Sequence, residues 1–155
     1  MDIKRYALYG ILTLLLIVLL PSTSFAAASC TFNSTAAVSF GSYNVFAALP
    51  NNIGIGSLVI QCKGGGGPTF NVTLSAGSSN SYATRVMVNG VSKLNYNLYT
   101  STARNVIWGN GTGGSSVMTA GRNSTTTLNI FGQIPAGQDA DVGVYTDSII
   151  TTITF

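Results

Sequence analysis

Few residues in this 155-residue chain can do chemistry, because it has no histidine and no glutamate. A Ser, Thr or Cys nucleophile needs an adjacent base. Within the region that alternates like strands, only Lys63 and Lys93 could serve, and neither sits in a recognisable motif. Paired carboxylates are possible only among Asp139, Asp141 and Asp147. These follow the Pro135-Ala136-Gly137 turn, a setting where aspartate ordinarily stabilises loops. The run Gly64–Gly67 has the composition of a phosphate cradle, but Pro68 and a strand pattern follow it instead of a helix N-terminus. Gly109–Gly114 lacks the strand–turn–helix setting too, and reads as a loop. Four Asn-x-Ser/Thr triplets begin at Asn33, Asn71, Asn110 and Asn123, as so Asn- and Thr-rich a chain produces by chance. No catalytic, cofactor or metal site is expected.

What must hold these residues follows from composition. Charged residues are 7% of the chain, against about 25% in an ordinary globular protein. That excludes a coiled coil, a charge-rich disordered tail and most acid–base enzymes. Seven scattered Lys and Arg disfavour nucleic acid as a partner. Residues 1–28 read as a cleavable secretory signal. Lys4 and Arg5 precede an apolar run from Tyr6 to Leu20, Pro21 ends it, and Ser24-Phe25-Ala26 or Ala26-Ala27-Ala28 offers a cleavage site. The run is shorter than the roughly 20 residues of a membrane span, so no stable span is expected after cleavage. Residues 29–155 then form one domain. Its charges are Lys63, Arg85, Lys93, Arg104 and Arg122 against three aspartates, which read as a weak, solvated surface charge. Cys30 and Cys62 are the only cysteines, and an even count in an exported chain favours one disulfide. Two thiols without histidine fall short of a usual metal site. The bridge closes a loop of about 32 residues, for roughly 3–4 kcal/mol in the chain-entropy model.

Past the leader the pattern has period two. Leu58, Ile60 and Cys62 share a face, as do Phe70, Val72 and Leu74; Leu94, Tyr96 and Leu98; Leu128 and Ile130; and Ile149, Thr151, Ile153 and Phe155. Gly-, Pro- and Asn-rich breakers separate these runs. Asn89-Gly90 between Arg85–Val88 and Val91–Leu98 predicts a tight hairpin. Six or seven short strands at this spacing predict an all-β sandwich. Trp108 is expected as a core anchor, with a sugar-stacking platform as the competing role.

Longer stretches carry a resemblance. Lys93-Leu94-Asn95-Tyr96-Asn97-Leu98-Tyr99-Thr100, running on through Arg104 and Val106-Ile107-Trp108-Gly109 to Gly113, resembles the spore coat protein U domain. So do Gly132–Gln138, Gly143-Val144-Tyr145-Thr146-Asp147, and Cys30-Thr31 with Ser39–Tyr43. The family includes subunits of archaic chaperone–usher pili as well as coat and matrix proteins. The resemblance implies an immunoglobulin-like sandwich lacking its last strand. It also implies a periplasmic chaperone, an outer-membrane usher and neighbouring pilin subunits as partners, and a place at the cell surface. The family's disulfide carries over to Cys30 and Cys62, and the Tyr-x-Asp that opens its final strand falls on Tyr145 and Asp147.

An uncovered apolar edge invites pairing with another chain. Phe40, Ile149, Ile153 and Phe155 are therefore expected to line an acceptor groove for a donated strand. Only one to three residues separate the expected cleavage sites from Cys30. That is too short for a donor strand of about 17–20 Å, so the expectation is a subunit that accepts but does not donate, as at a fibre tip. Val45, Phe46 and Leu49 would then be the apolar surface-contact loop. Against that stands the expectation that Phe46 and Leu49 pack beneath the sandwich end, as most large apolar residues do. The rival functions are a coat or matrix protein assembled without an usher, and a monomeric carbohydrate-binding module.

Overall fold

In the computed structural model, which describes residues 27–155, the period-two segments become strands. They are β1 (Ser29–Ser39), β2 (Ile55–Lys63), β3 (Thr69–Leu74), β4 (Arg85–Asn89), β5 (Ser92–Tyr99), β6 (Ile107–Trp108), β7 (Ser115–Ser116), β8 (Met118–Gly121), β9 (Ser124–Gln133) and β10 (Thr151–Thr154). A 3-10 turn covers Gly77–Ser79. The larger sheet runs β1-β2-β9-β5-β6-β7 with β4 added to β5, and the smaller runs β10-β3-β8. The fold is all-β, an immunoglobulin-like sandwich of two sheets. Residues 1–26 of the expected leader lie outside the described ones. Ala28 packs against the core cluster.

The alternation sets which face of each strand is buried. Leu58, Ile60 and Cys62 of β2 are buried, and Leu58 lies opposite Leu128 of β9. Phe70, Val72 and Leu74 of β3 face them from the smaller sheet. Trp108 is wholly buried, and its indole N–H donates to the Val72 carbonyl at 2.9 Å. A ring with no exposed face cannot stack on a sugar, so Trp108 is a core anchor. Gly64–Gly67 forms the connection from β2 to β3.

Two local expectations need correction. The β4–β5 turn is centred on Gly90-Val91, one residue later than read, because Asn89 pairs with Ser92. Gly90 takes a positive φ of 58° and Val91 does not, the pattern of a two-residue turn with glycine first. Nor is Arg85 a solvated surface charge: it is 0% exposed. It shares the inward face of β4 with Met87, as alternation from Met87 requires.

Cys30 and Cys62 sit directly opposite each other in β1 and β2 and are bonded. The ladder beyond them is irregular, with register shifts at Phe32/Ser34 and Ala36/Ser39. The bridge thus anchors the start of a strand that, among the described residues, β2 alone pairs with. Replacing both cysteines by serine should lower unfolding free energy by about 2–5 kcal/mol, read from urea denaturation. An unchanged midpoint would show that the bridge contributes nothing to stability.

Candidate functional site

Among the described residues, each sheet ends on a strand paired from one side: β1 in the larger, β10 in the smaller. Between them the sandwich is open. A cavity of about 430 Å³ has Thr35–Val38 of β1 as one wall and Tyr145, Thr146, Asp147, Ile149 and Thr151 as the other. Its floor is core side chains, among them Leu58, Leu74, Met87, Tyr96, Leu98 and Ile130. A second cavity of about 670 Å³ continues from it, lined by Ser39–Phe46, Ile134 and Ala140–Tyr145. The two share Val38, Phe40, Met87 and Tyr145, and so form one groove. The inward residues of β10 and its approach (Ile149, Thr151 and Ile153) stay half-buried, whereas their counterparts on β3 are buried. That asymmetry marks an inner face that no other described residue covers.

The groove's second wall is held by polar contacts. Thr146 exchanges both main-chain hydrogen bonds with Val88 of β4, at 2.9 and 3.1 Å. In an extended chain the groups of Tyr145 and Asp147 then point away from β4. One carboxylate oxygen of Asp147 accepts the N–H of Ser78 at 3.0 Å and of Ser148 at 2.8 Å, together with the Ser78 hydroxyl. The other accepts the Tyr96 hydroxyl at 2.7 Å. The Ile150 carbonyl takes the N–H of Ser75 at 2.9 Å, and the Ile150 N–H donates to the Ser75 hydroxyl. Behind this turn lies Arg85. Its guanidinium donates twice to the Ser75 carbonyl, once to Asn97 Oδ1 at 2.7 Å and once to the Trp108 carbonyl at 2.7 Å, and it sits over the Tyr82 ring. Burial pulls Arg85 below its usual range, while Tyr96, Tyr82 and Asp147 push back.

The residues expected to line the groove separate. Phe40 and Ile149 line it. Phe40 lies edge-on to Tyr96 in a slot where a Cβ on Gly54 or Gly132 would come within 2.6 or 2.5 Å of its ring. Ile153 and Phe155 lie beyond both cavities: Ile153 is opposite Val72, and Phe155 is 67% exposed with its ring edge-on to Phe70. Phe46 and Leu49 are 92% and 78% exposed, which overturns their expected packing beneath the sandwich end. Val45 is half-buried and, with Phe46, lines the larger cavity. Sequence reasoning missed Arg85, Tyr96 and Met87 as parts of the site. The signal for the first was a charge in phase with Met87.

Comparison with known proteins adds a relationship to this geometry. Residues 17–152 match the Spore Coat Protein U domain. Protein U of Myxococcus xanthus is 34% identical over 130 residues, covering 76% of this chain and 71% of that protein. A solved structure, the CsuC-CsuE chaperone-tip adhesion subunit pre-assembly complex from archaic chaperone-usher Csu pili of Acinetobacter baumannii, is similar at 20% identity and a TM-score of 0.49. The match covers 84% of this chain and 40% of that one, so this chain spans well under half of the solved chain.

The Tyr96 phenol has a testable pH signature. Burial, then the hydrogen bond to Asp147 and that group's negative charge, raise its pKa far above the ordinary tyrosine value. The unfolded chain gives up that proton near pH ~10 while the folded one keeps it. The contribution to stability is therefore full below about pH 10 and is lost as pH rises above it. Tyr96→Phe should flatten the alkaline fall in a series of urea midpoints between about pH 8 and 11. A slope equal to that of the parent would show that Tyr96 does not govern it.

Proposed function

The chain belongs to the Spore Coat Protein U domain family, whose members are structural subunits and not enzymes, and from that premise we propose that it is a fimbrial subunit completed by a donated strand. In this reading a periplasmic chaperone first fills the groove. An outer-membrane usher then hands the subunit on, and an extended segment of a neighbouring subunit replaces the chaperone at the cell surface. One observation carries the proposal: core side chains floor the groove between β1, which among the described residues pairs only with β2, and a wall that is bonded to β4 at Thr146 and enters β10 at Thr151. An extended peptide laid there meets main-chain groups on both sides and apolar pockets beneath, the requirements of strand addition. Phe40 and Ile149 belong to the proposed acceptor surface. Ile153 and Phe155 extend it along the free edge of β10 past the cavities. Exposed Phe46 and Leu49, with Val45 beside them, offer an apolar contact surface next to the groove's wide end.

Appending a short linker and an alternating apolar strand after Phe155 should raise the melting temperature and suppress aggregation of the purified protein. Equal, high stability with and without the graft would mean the fold needs no added strand, and a coat or matrix role without strand exchange would replace the proposal. Ile149→Asp places a charge in the groove's wall. It should block incorporation into polymers more than export, measured by comparing periplasmic and fibre fractions. Normal incorporation would remove Ile149 from the acceptor surface.

A further inference from the structure

Resting on the reading of the groove as a strand acceptor, we propose that Asp147 is the positioning residue of that site, holding the wall at the distance from β1 that an incoming strand requires. Packing alone does not set this distance. Val144 and Ile150 stand in solvent, Tyr145 and Ile149 are only half-buried, and the wall's ladder with β4 is a single bridge at Thr146. Val38 on β1 and Tyr145 and Ile149 on the facing wall are apolar and only half-buried, so burial would favour drawing the wall inward and closing the groove.

The Asp147 carboxylate opposes this by tying the wall to two fixed points. Tyr96 is buried on β5, and its ring lies 5.7 Å from that of Phe40, so the Tyr96 hydroxyl at 2.7 Å ties wall to floor. The N–H of Ser78 at 3.0 Å ties wall to turn, and the turn is fixed in its own right, because Arg85 donates twice to the Ser75 carbonyl. The turn is also shaped for this carboxylate. Gly77 has a φ of 66°, and a Cβ there would stand 2.0 Å from Asp147 Oδ2. Any side chain at Gly77 would displace the carboxylate from Tyr96.

The test uses the full chain, with and without a C-terminal Gly/Ser linker and a strand of about nine alternating Thr and Val residues, in wild-type and Asp147→Asn forms. Asparagine keeps the shape but presents an N–H₂ in place of one acceptor oxygen. If Asp147 positions the wall, the rise in melting temperature on grafting falls by at least half in Asp147→Asn. Amide exchange at Tyr145 and Asp147 then also slows less on grafting than in wild type. An equal rise in both forms overturns the proposal, since a residue that only supports the fold destabilises grafted and ungrafted chains alike. No rise in wild type overturns the acceptor reading itself. If Asp147→Asn does not fold, Tyr96→Phe gives the same test, because it keeps the ring on Phe40 and removes only the donated hydroxyl. A full grafting response in Tyr96→Phe overturns the floor tie.

Discussion

A guanidinium shut away from water must have its N–H groups answered inside the protein, and among the described residues Arg85 meets that requirement with no directly bonded carboxylate. Its partners are the carbonyls of Ser75 and Trp108 and the side-chain oxygen of Asn97. Leaving such a group unsatisfied costs several kcal/mol, so these acceptors cannot drift from where the guanidinium needs them. Ser75 directly follows β3 and opens the turn that carries Gly77–Ser79, Asn97 lies on β5 and Trp108 on β6. One side chain therefore fixes the relation of the smaller sheet to the larger. It does so at the end of the sandwich from which the wall of the groove departs.

From that anchor the polar contacts run outward in order. Ser75 holds Ile150, Ser78 holds Asp147, and Asp147 reaches back to Tyr96 on the floor. On the opposite wall the Cys30–Cys62 bridge holds the start of β1, and Phe40 in its glycine slot holds the strand's exit. Asn51 supports that exit by donating to the carbonyls of Phe40 and Ser42. The loop after β9 is fastened similarly: the Gln138 side-chain amide meets both main-chain groups of Asn95 on β5. It thus supplies a substitute ladder partner beyond the end of β9, near the groove's wide end. Both walls are pinned near their ends and leave a free edge toward the gap, a geometry that favours pairing with an added strand.

Period-two alternation made the buried faces of β2, β3, β5 and β9 legible, because a strand between solvent and core has only two faces to assign. It also placed Arg85 in phase with Met87, but overall charge composition argued for the surface, and tertiary hydrogen bonding decided otherwise. Alternation extended the last strand back to Ile149, whereas the ladder with β3 begins at Thr151. A side-chain pattern records which face an extended segment presents. It does not record whether a partner strand lies alongside.

Sequence by itself determined the all-β class, the identity of most core residues, the cysteine pair and the family, since each depends on residue type and local spacing. Only the tertiary structure decided that Phe40 and Ile149 share a groove while Ile153 and Phe155 lie past it, that Phe46 and Leu49 face solvent, and that Asp147 meets Tyr96. Those facts depend on contacts between segments distant along the chain, with the partners 51 positions apart in the last case. Their geometry follows from strand order, register and where each ladder stops, and no local pattern encodes that.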